Sequence, residues 1–216
     1  MKYETILFDL DGTLTDPGEG ITTAVAYALD FFGNKYESKE ALELFIGPPL
    51  REQFMQYCGV DREKGEEYVA KYREYYAVKG IYQNKIYDGI ENMLLQLKNA
   101  GKKIVLATSK PEKFALIVLE HFGLLKYFDF VAGALMSNSR TKKDEVIAFA
   151  LENSSGYELE TTIMVGDRLH DVEGAAKFGI DTIGVTFGYG SREELENAGA
   201  KIIVDTVDEL TRELLK

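Results

Sequence analysis

Apolar positions along the 216-residue chain follow two rhythms. Short runs rich in β-branched residues, at 3–8, 103–107, 128–132, 162–165, 182–186 and 202–204, predict six strands. Between them apolar residues return every three or four positions, predicting helices over 111–122, 143–152, 171–178 and 207–215. From about residue 87 the two kinds of element alternate. That alternation builds a parallel sheet covered on both faces, since each crossover lays a helix across it. Pro111 at a first helical turn and Gly123 after a last one are the expected punctuation.

The first strand breaks the alternation, because no second strand comes until residue 103 and the intervening chain reads as helix. Helical patterns cover 21–32, 39–45, 50–57 and 63–78, separated by Gly33-Asn34, Gly47-Pro48-Pro49 and Cys58-Gly59. The predicted class is therefore α/β: a doubly wound, mostly parallel sheet from residues 1–15 and 87–216, with an all-helical domain inserted at 16–86. Tyr68, Tyr72, Tyr75 and Tyr76 fall at helical spacing, as the core of that insertion or, alternatively, as a stacking surface for a nucleotide base.

Composition narrows the choice of partner. Lys plus Arg number 25 against 36 Asp plus Glu, a formal net charge of -11, which repels the phosphate backbone that a nucleic-acid polymer presents. The lone cysteine, Cys58, excludes an internal disulfide. No apolar run is long enough to cross a bilayer, and the opening MKYETILFDLDG lacks the apolar stretch of a secretory signal, so no membrane partner and a cytoplasmic location are expected.

In open parallel sheets ligands bind beyond the carboxyl ends of the strands, so the residues just after each apolar run carry the chemistry. The first run ends in Phe8-Asp9-Leu10-Asp11-Gly12-Thr13, the second in Ala107-Thr108-Ser109-Lys110, and the fourth in Gly166-Asp167 with Asp171 four residues on. Asp9 and Asp11 are two residues apart, which in extended chain sends both side chains to one face. Carboxylates so close repel unless a cation lies between them or one is protonated, and hard oxygen ligands suit Mg²⁺, with Asp167 as a third. The plain alternative is that these acids cap a turn before Gly12. Other motifs fail on spacing: the glycine of an EF-hand loop comes sixth, no P-loop sequence occurs, and Gly188-Tyr189-Gly190 lacks the third glycine of a dinucleotide fingerprint. His121 and His170 have no zinc-type partner at helical spacing, although His170 stands beside the Asp167 loop.

With these residues in hand, the sequence resembles the haloacid dehalogenase superfamily, in its phosphoglycolate-phosphatase-like branch, over almost its full length. The family's D-x-D-G-T appears as Asp9 to Thr13, its Thr or Ser after a hydrophobic strand as Thr108 in IVLATSKP, and its G-D-x-x-x-D as Gly166 to Asp171. GVTFGYGSREELENAGA near the end also resembles this branch. The third motif, a lysine in a K-P-D-P setting, departs from the pattern: Arg140-Thr141-Lys142-Lys143-Asp144-Glu145 has no proline, and anchoring on the next helix favours Lys143 over Lys142.

The resemblance implies a Rossmann-like core and phosphate-ester hydrolysis on a small phosphorylated metabolite, phosphoglycolate first, with a 5′-nucleotide or pyrophosphate as alternatives. Asp9 is then the nucleophile and Asp11 the general acid and base. Mg²⁺ is held by Asp9, the Asp11 main-chain carbonyl and Asp167, with Asp171 supporting from behind, while Thr108, Ser109 and Lys143 bind phosphate oxygens. The helical insertion resembles the family's mobile cap, with Gly18, Gly20 and 87–89 as hinges and Arg51 as an anion contact. A monomer or homodimer is expected. A sugar-phosphate mutase uses the same acids, and a phospho-aspartate signalling switch shares the acceptor aspartate, hydroxyl, lysine and Mg²⁺.

Overall fold

A computed structural model describes residues 2–136, 140–154 and 156–216, and they form two compact units. The first comprises the chain up to Asp16 together with Ile86–Lys216, and the second is Pro17–Lys85.

The first unit is built on β1 (Thr5–Phe8). Next along the chain comes β2 (Thr15–Asp16), which pairs with β3 (Lys85–Ile86) in a separate two-stranded sheet, both strands lying where the sequence pattern predicts none. In the second unit, α1 (Gly18–Phe32), α2 (Leu50–Cys58) and α3 (Arg62–Tyr76) are accompanied by 3₁₀ turns at Glu40–Phe45 and Gly80–Tyr82. Tyr68, Tyr72 and Tyr76 are buried there; Phe32, Phe45 and Phe54 join them, with the rings of Phe32 and Tyr68 only 4.2 Å apart. Three tyrosines of the stripe are thus core, while Tyr75 is half-buried. Gly20, expected as a hinge, lies inside α1, where a Cβ would stand 2.0 Å from the Gly80 carbonyl oxygen, so close packing explains the glycine.

After β3 the chain alternates: α4 (Ile90–Asn99), β4 (Lys103–Pro111), α5 (Glu112–His121), β5 (Phe130–Ala134), α6 (Lys143–Asn153), β6 (Thr162–Gly166), α7 (Leu169–Ala176), β7 (Asp181–Val185), α8 (Arg192–Ala198), β8 (Ile202–Val204) and α9 (Val207–Leu214). Six strands form one parallel sheet in the order β5-β4-β1-β6-β7-β8. Both faces are covered: Leu7, Val105 and Met164 pack with Val146, Ile147 and Ala175 on one side, while their neighbours Ile6, Phe8, Ile104 and Leu106 are equally buried on the other. This is why the core strands read as continuous apolar runs rather than alternating ones.

The strand order positions the site. From β1 the chain winds outward through β4 to β5, then returns to the opposite side of β1 and winds outward through β6, β7 and β8. The direction of winding reverses between β1 and β6, and a crevice opens at their carboxyl ends.

Candidate active site

The β1–β6 pairing continues one step beyond β1, where the Asp9 N–H donates to the Val165 carbonyl at 2.9 Å, placing Asp9 at the sheet edge. The chain then turns sharply, with the N–H groups of Thr13, Leu14 and Thr15 all directed at the Leu10 carbonyl (2.9–3.3 Å). Gly12 occupies this turn with φ +83°, and a Cβ there would lie 2.2 Å from Asp167 Oδ2. Glycine is therefore demanded twice, by the left-handed backbone and by the acid against it.

Asp167 comes directly after β6 and is held from two sides: the Thr13 hydroxyl donates to Oδ1 at 3.2 Å and the Tyr189 N–H to Oδ2 at 2.9 Å. Gly188 lets this loop approach, since a Cβ would come within 2.2 Å of the Gly12 carbonyl oxygen and 2.5 Å of the Asp167 Cβ. Tyr189 also donates its hydroxyl to Asp16. Asp171 sits in the first turn of α7, where its Oδ2 accepts the Arg168 N–H at 3.1 Å. Lys143 opens α6 and points inward; its Nζ lies 2.8 Å from Asp9 Oδ1 and 2.7 Å from Asp171 Oδ1, and donates to the Ala107 carbonyl at 3.0 Å.

Asp9, Asp167 and Asp171 are all buried, and one carboxylate oxygen from each falls within 4.8 Å of the others. Burial pushes the Asp167 carboxyl well above the usual carboxylate range, with Asp171 and Asp9 adding to the rise. Burial likewise raises Asp171, to about 6, against the pull of Lys143. Burial works against the charge of Lys143, but Asp171 and Asp9 more than offset it and hold its pKa above the ordinary value. Lys143 thus pairs with two of the three carboxylates, and a hard divalent cation is the species whose charge and oxygen preference fit the surplus.

The other residues singled out by the sequence take varied positions. Thr108 is buried at the carboxyl end of β4 and Ser109, next to it, is half-buried. Lys142 is exposed, its main-chain N–H on Glu145. The Asp11 carboxylate takes a partner outside the three-acid group: both its oxygens accept from Lys110 Nζ, at 2.9 and 2.7 Å. Burial pushes the Asp11 carboxyl up, against the pull of Lys110. Arg51, in the helical unit, directs its guanidinium to Glu66 (2.7 Å) and Glu52 (2.6 Å). His170 is half-buried, and its pKa is lowered by burial and by Arg168. The supporting groups that sequence patterns leave without a role are the Thr13 hydroxyl, the Tyr189 N–H and Lys110; only their proximity in the folded chain reveals them.

Comparison with known proteins finds relatives of this chain. Residues 6–185 match the family model described as haloacid dehalogenase-like hydrolase. A Pseudomonas aeruginosa protein named 5′-nucleotidase is 44% identical over 195 residues, covering 90% of this chain and 88% of that one. The Mycobacterium tuberculosis protein named tyrosine-protein kinase PtkA is 38% identical over 213 residues, covering 98% and 72%. The crystal structure of a predicted phosphatase from Clostridium acetobutylicum superposes with a TM-score of 0.96 at 46% identity, covering 100% of this chain and 99% of that one. On the match over 6–185, joined to a six-stranded parallel core with its acids at the β1–β6 crevice, the chain belongs to the haloacid dehalogenase-like hydrolase family.

Proposed function

We propose that this hydrolase is a Mg²⁺-dependent phosphatase that cleaves a small phosphorylated metabolite through a phosphorylated Asp9. The observation that carries the reading is the buried group of Asp9, Asp167 and Asp171, with Lys143 paired to Asp9 and Asp171, at the point where the strand order reverses. An acid cluster with a surplus of negative charge is costly to bury, and a divalent cation with a phosphoryl group relieves it.

In this reading an Asp9 carboxylate oxygen attacks phosphorus in line, the new O–P bond forming as the ester O–P bond breaks. The Asp11 carboxylic acid, whose pKa burial raises, gives its proton to the departing oxygen. Asp11 then takes a proton from the water that attacks the phosphorylated Asp9, releasing inorganic phosphate and restoring both carboxyl groups. Thr108, Ser109 and Lys143 hold the non-bridging oxygens. Lys143 also keeps the Asp9 carboxylate in place through their 2.8 Å contact. When bound by Asp9, the Asp11 main-chain carbonyl and Asp167, with Asp171 behind, Mg²⁺ supplies the positive charge that lets an anionic nucleophile approach an anionic phosphate. Residues 16–86 are assigned to a cap domain, with 1–15 and 87–216 as the catalytic core.

For the substrate we place a nucleoside 5′-monophosphate ahead of phosphoglycolate and pyrophosphate, supported by the relative at 44% identity that bears the name 5′-nucleotidase. The test is phosphate release from these three compounds, with Mg²⁺ and with chelator, for the wild-type chain and Asp9→Asn. Multiple turnovers that require both Mg²⁺ and Asp9 support the reading; turnover that survives Asp9→Asn removes it. A phosphorylated chain that persists for many minutes with Mg²⁺ favours the signalling switch, and conversion of a sugar phosphate without net phosphate release favours the mutase.

A further inference from the structure

We infer that Lys110 is a positioning residue for Asp11, holding its carboxylate apart from the three-acid group so that it stays available to the substrate and does not join the Asp9 and Asp167 carboxylates around the cation. The inference rests on the function proposed above.

Asp11 lies two residues from Asp9, yet its carboxylate is absent from the Asp9–Asp167–Asp171 group and is grasped through both oxygens by Lys110 Nζ at 2.9 and 2.7 Å. The contact is almost dry, with side-chain exposures of 4% for Lys110 and 12% for Asp11. A charge pair out of water with both acceptor atoms engaged has little freedom to reorient. The backbone is shaped for the purpose. The β4–β5 ladder loses register between Thr108 and Pro111, and the Lys110 N–H donates to the Thr108 hydroxyl oxygen at 3.2 Å. An irregularity of this kind, next to a site, re-aims a side chain that a regular strand would direct elsewhere. Two lysines then divide the acids between them: Lys143 serves Asp9 and Asp171, and Lys110 serves Asp11. Burying an ammonium at the end of a strand costs more than burying a methionine of similar length, so the fold alone does not account for lysine here.

The test uses the full chain with Lys110→Met, Lys110→Arg and Lys110→Met combined with Asp11→Asn. In the first measurement Mn²⁺ is bound in place of Mg²⁺ and its coordinated waters are counted by pulsed electron paramagnetic resonance in deuterated water. Freed from Lys110, the Asp11 carboxylate enters the coordination shell, so Lys110→Met holds one water fewer than wild type and the added Asp11→Asn restores it. In the second, steady-state phosphate release, Lys110→Met lowers kcat roughly 100-fold, at the low end of what a general acid contributes, with KM within about threefold. Lys110→Arg, whose fork also reaches both oxygens, recovers kcat to within about tenfold of wild type. Lys110→Gln, a polar residue without the charge, serves for both measurements should the methionine variant not fold. An unchanged water count, an unchanged kcat, or a KM raised tenfold with kcat retained overturns the proposal; the last makes Lys110 a substrate ligand. If wild type releases no phosphate from any ester, the proposed function fails while the water count still decides the role of Lys110.

Discussion

Replacing Lys143 with methionine tests how far one buried cation holds the acid cluster together. The ammonium contacts Asp9 and Asp171 at 2.8 and 2.7 Å and the Ala107 carbonyl at 3.0 Å, with its side chain 4% exposed. Methionine keeps the length and removes the charge, leaving Asp9 and Asp171 facing each other without the cation between them, beside Asp167. Removing one partner of a buried pair costs about 3–5 kcal/mol when the other must stay charged. Asp171 already stands at about 6 with Lys143 present, so in the variant it takes up a proton near neutrality, which keeps the loss near the lower bound, about 3 kcal/mol. For a chain of this size that lowers Tm by roughly 6–12 °C. The assay is thermal unfolding monitored by circular dichroism at pH 7 in chelator, repeated at pH 5 and in an Asp171→Asn background. The deficit narrows at pH 5, where Asp171 is protonated in both proteins, and shrinks by about 1 kcal/mol or more when Asp171 is already an amide. A Tm loss below roughly 2–4 °C at pH 7, about 1 kcal/mol, or equal losses in both backgrounds, refutes the claim that uncompensated charge sets the cost.

The same geometry makes four further outcomes testable. Asp9→Asn abolishes phosphate release with an unchanged circular dichroism spectrum, because the amide is a poor nucleophile; retained turnover contradicts the phosphorylated intermediate. In chelator, stability falls as pH rises from about 4 through about 6, because folded-state pKa values above the unfolded ones, as for Asp171 and Asp167, favour the folded chain only while those acids are protonated. At pH 7, Mg²⁺ at 100 times its Kd restores about 2.7 kcal/mol, a gain that diminishes toward pH 5, and a pH-independent Mg²⁺ effect in calorimetry and melting contradicts the acid cluster as its site. Gly188→Ala drives a methyl group to within 2.5 Å of the Asp167 Cβ and 2.2 Å of the Gly12 carbonyl oxygen, so it weakens Mg²⁺ binding and lowers Tm together; wild-type Mg²⁺ affinity in that variant contradicts the close packing of this loop.

What the sequence reveals and what it hides separate by physical cause. The six core strands are legible because parallel strands buried on both faces must be apolar throughout, as in Ile6, Leu7 and Phe8. β2 and β3 are hidden because two residues carry no period. The lysine pair is ambiguous in one dimension since both precede the same apolar helix. In three dimensions the phase of α6 separates them, turning Lys143 toward Gly174, where a Cβ would stand 2.8 Å from its Cγ, and leaving Lys142 outside. Asp11 shows the sharpest limit. The rule that residues two apart share a face holds only while the chain is extended, and β1 ends at Phe8, after which three N–H groups converge on the Leu10 carbonyl. Asp9 is still in register with β6 through Val165, whereas Asp11 is already in the turn, and its direction is set by a lysine 99 residues away. Local pattern therefore identifies the acids, while their division into a buried three-acid group and a separately held acid depends on contacts made only when β4 and β6 flank β1 and Lys143 of α6 reaches in between Asp9 and Asp171.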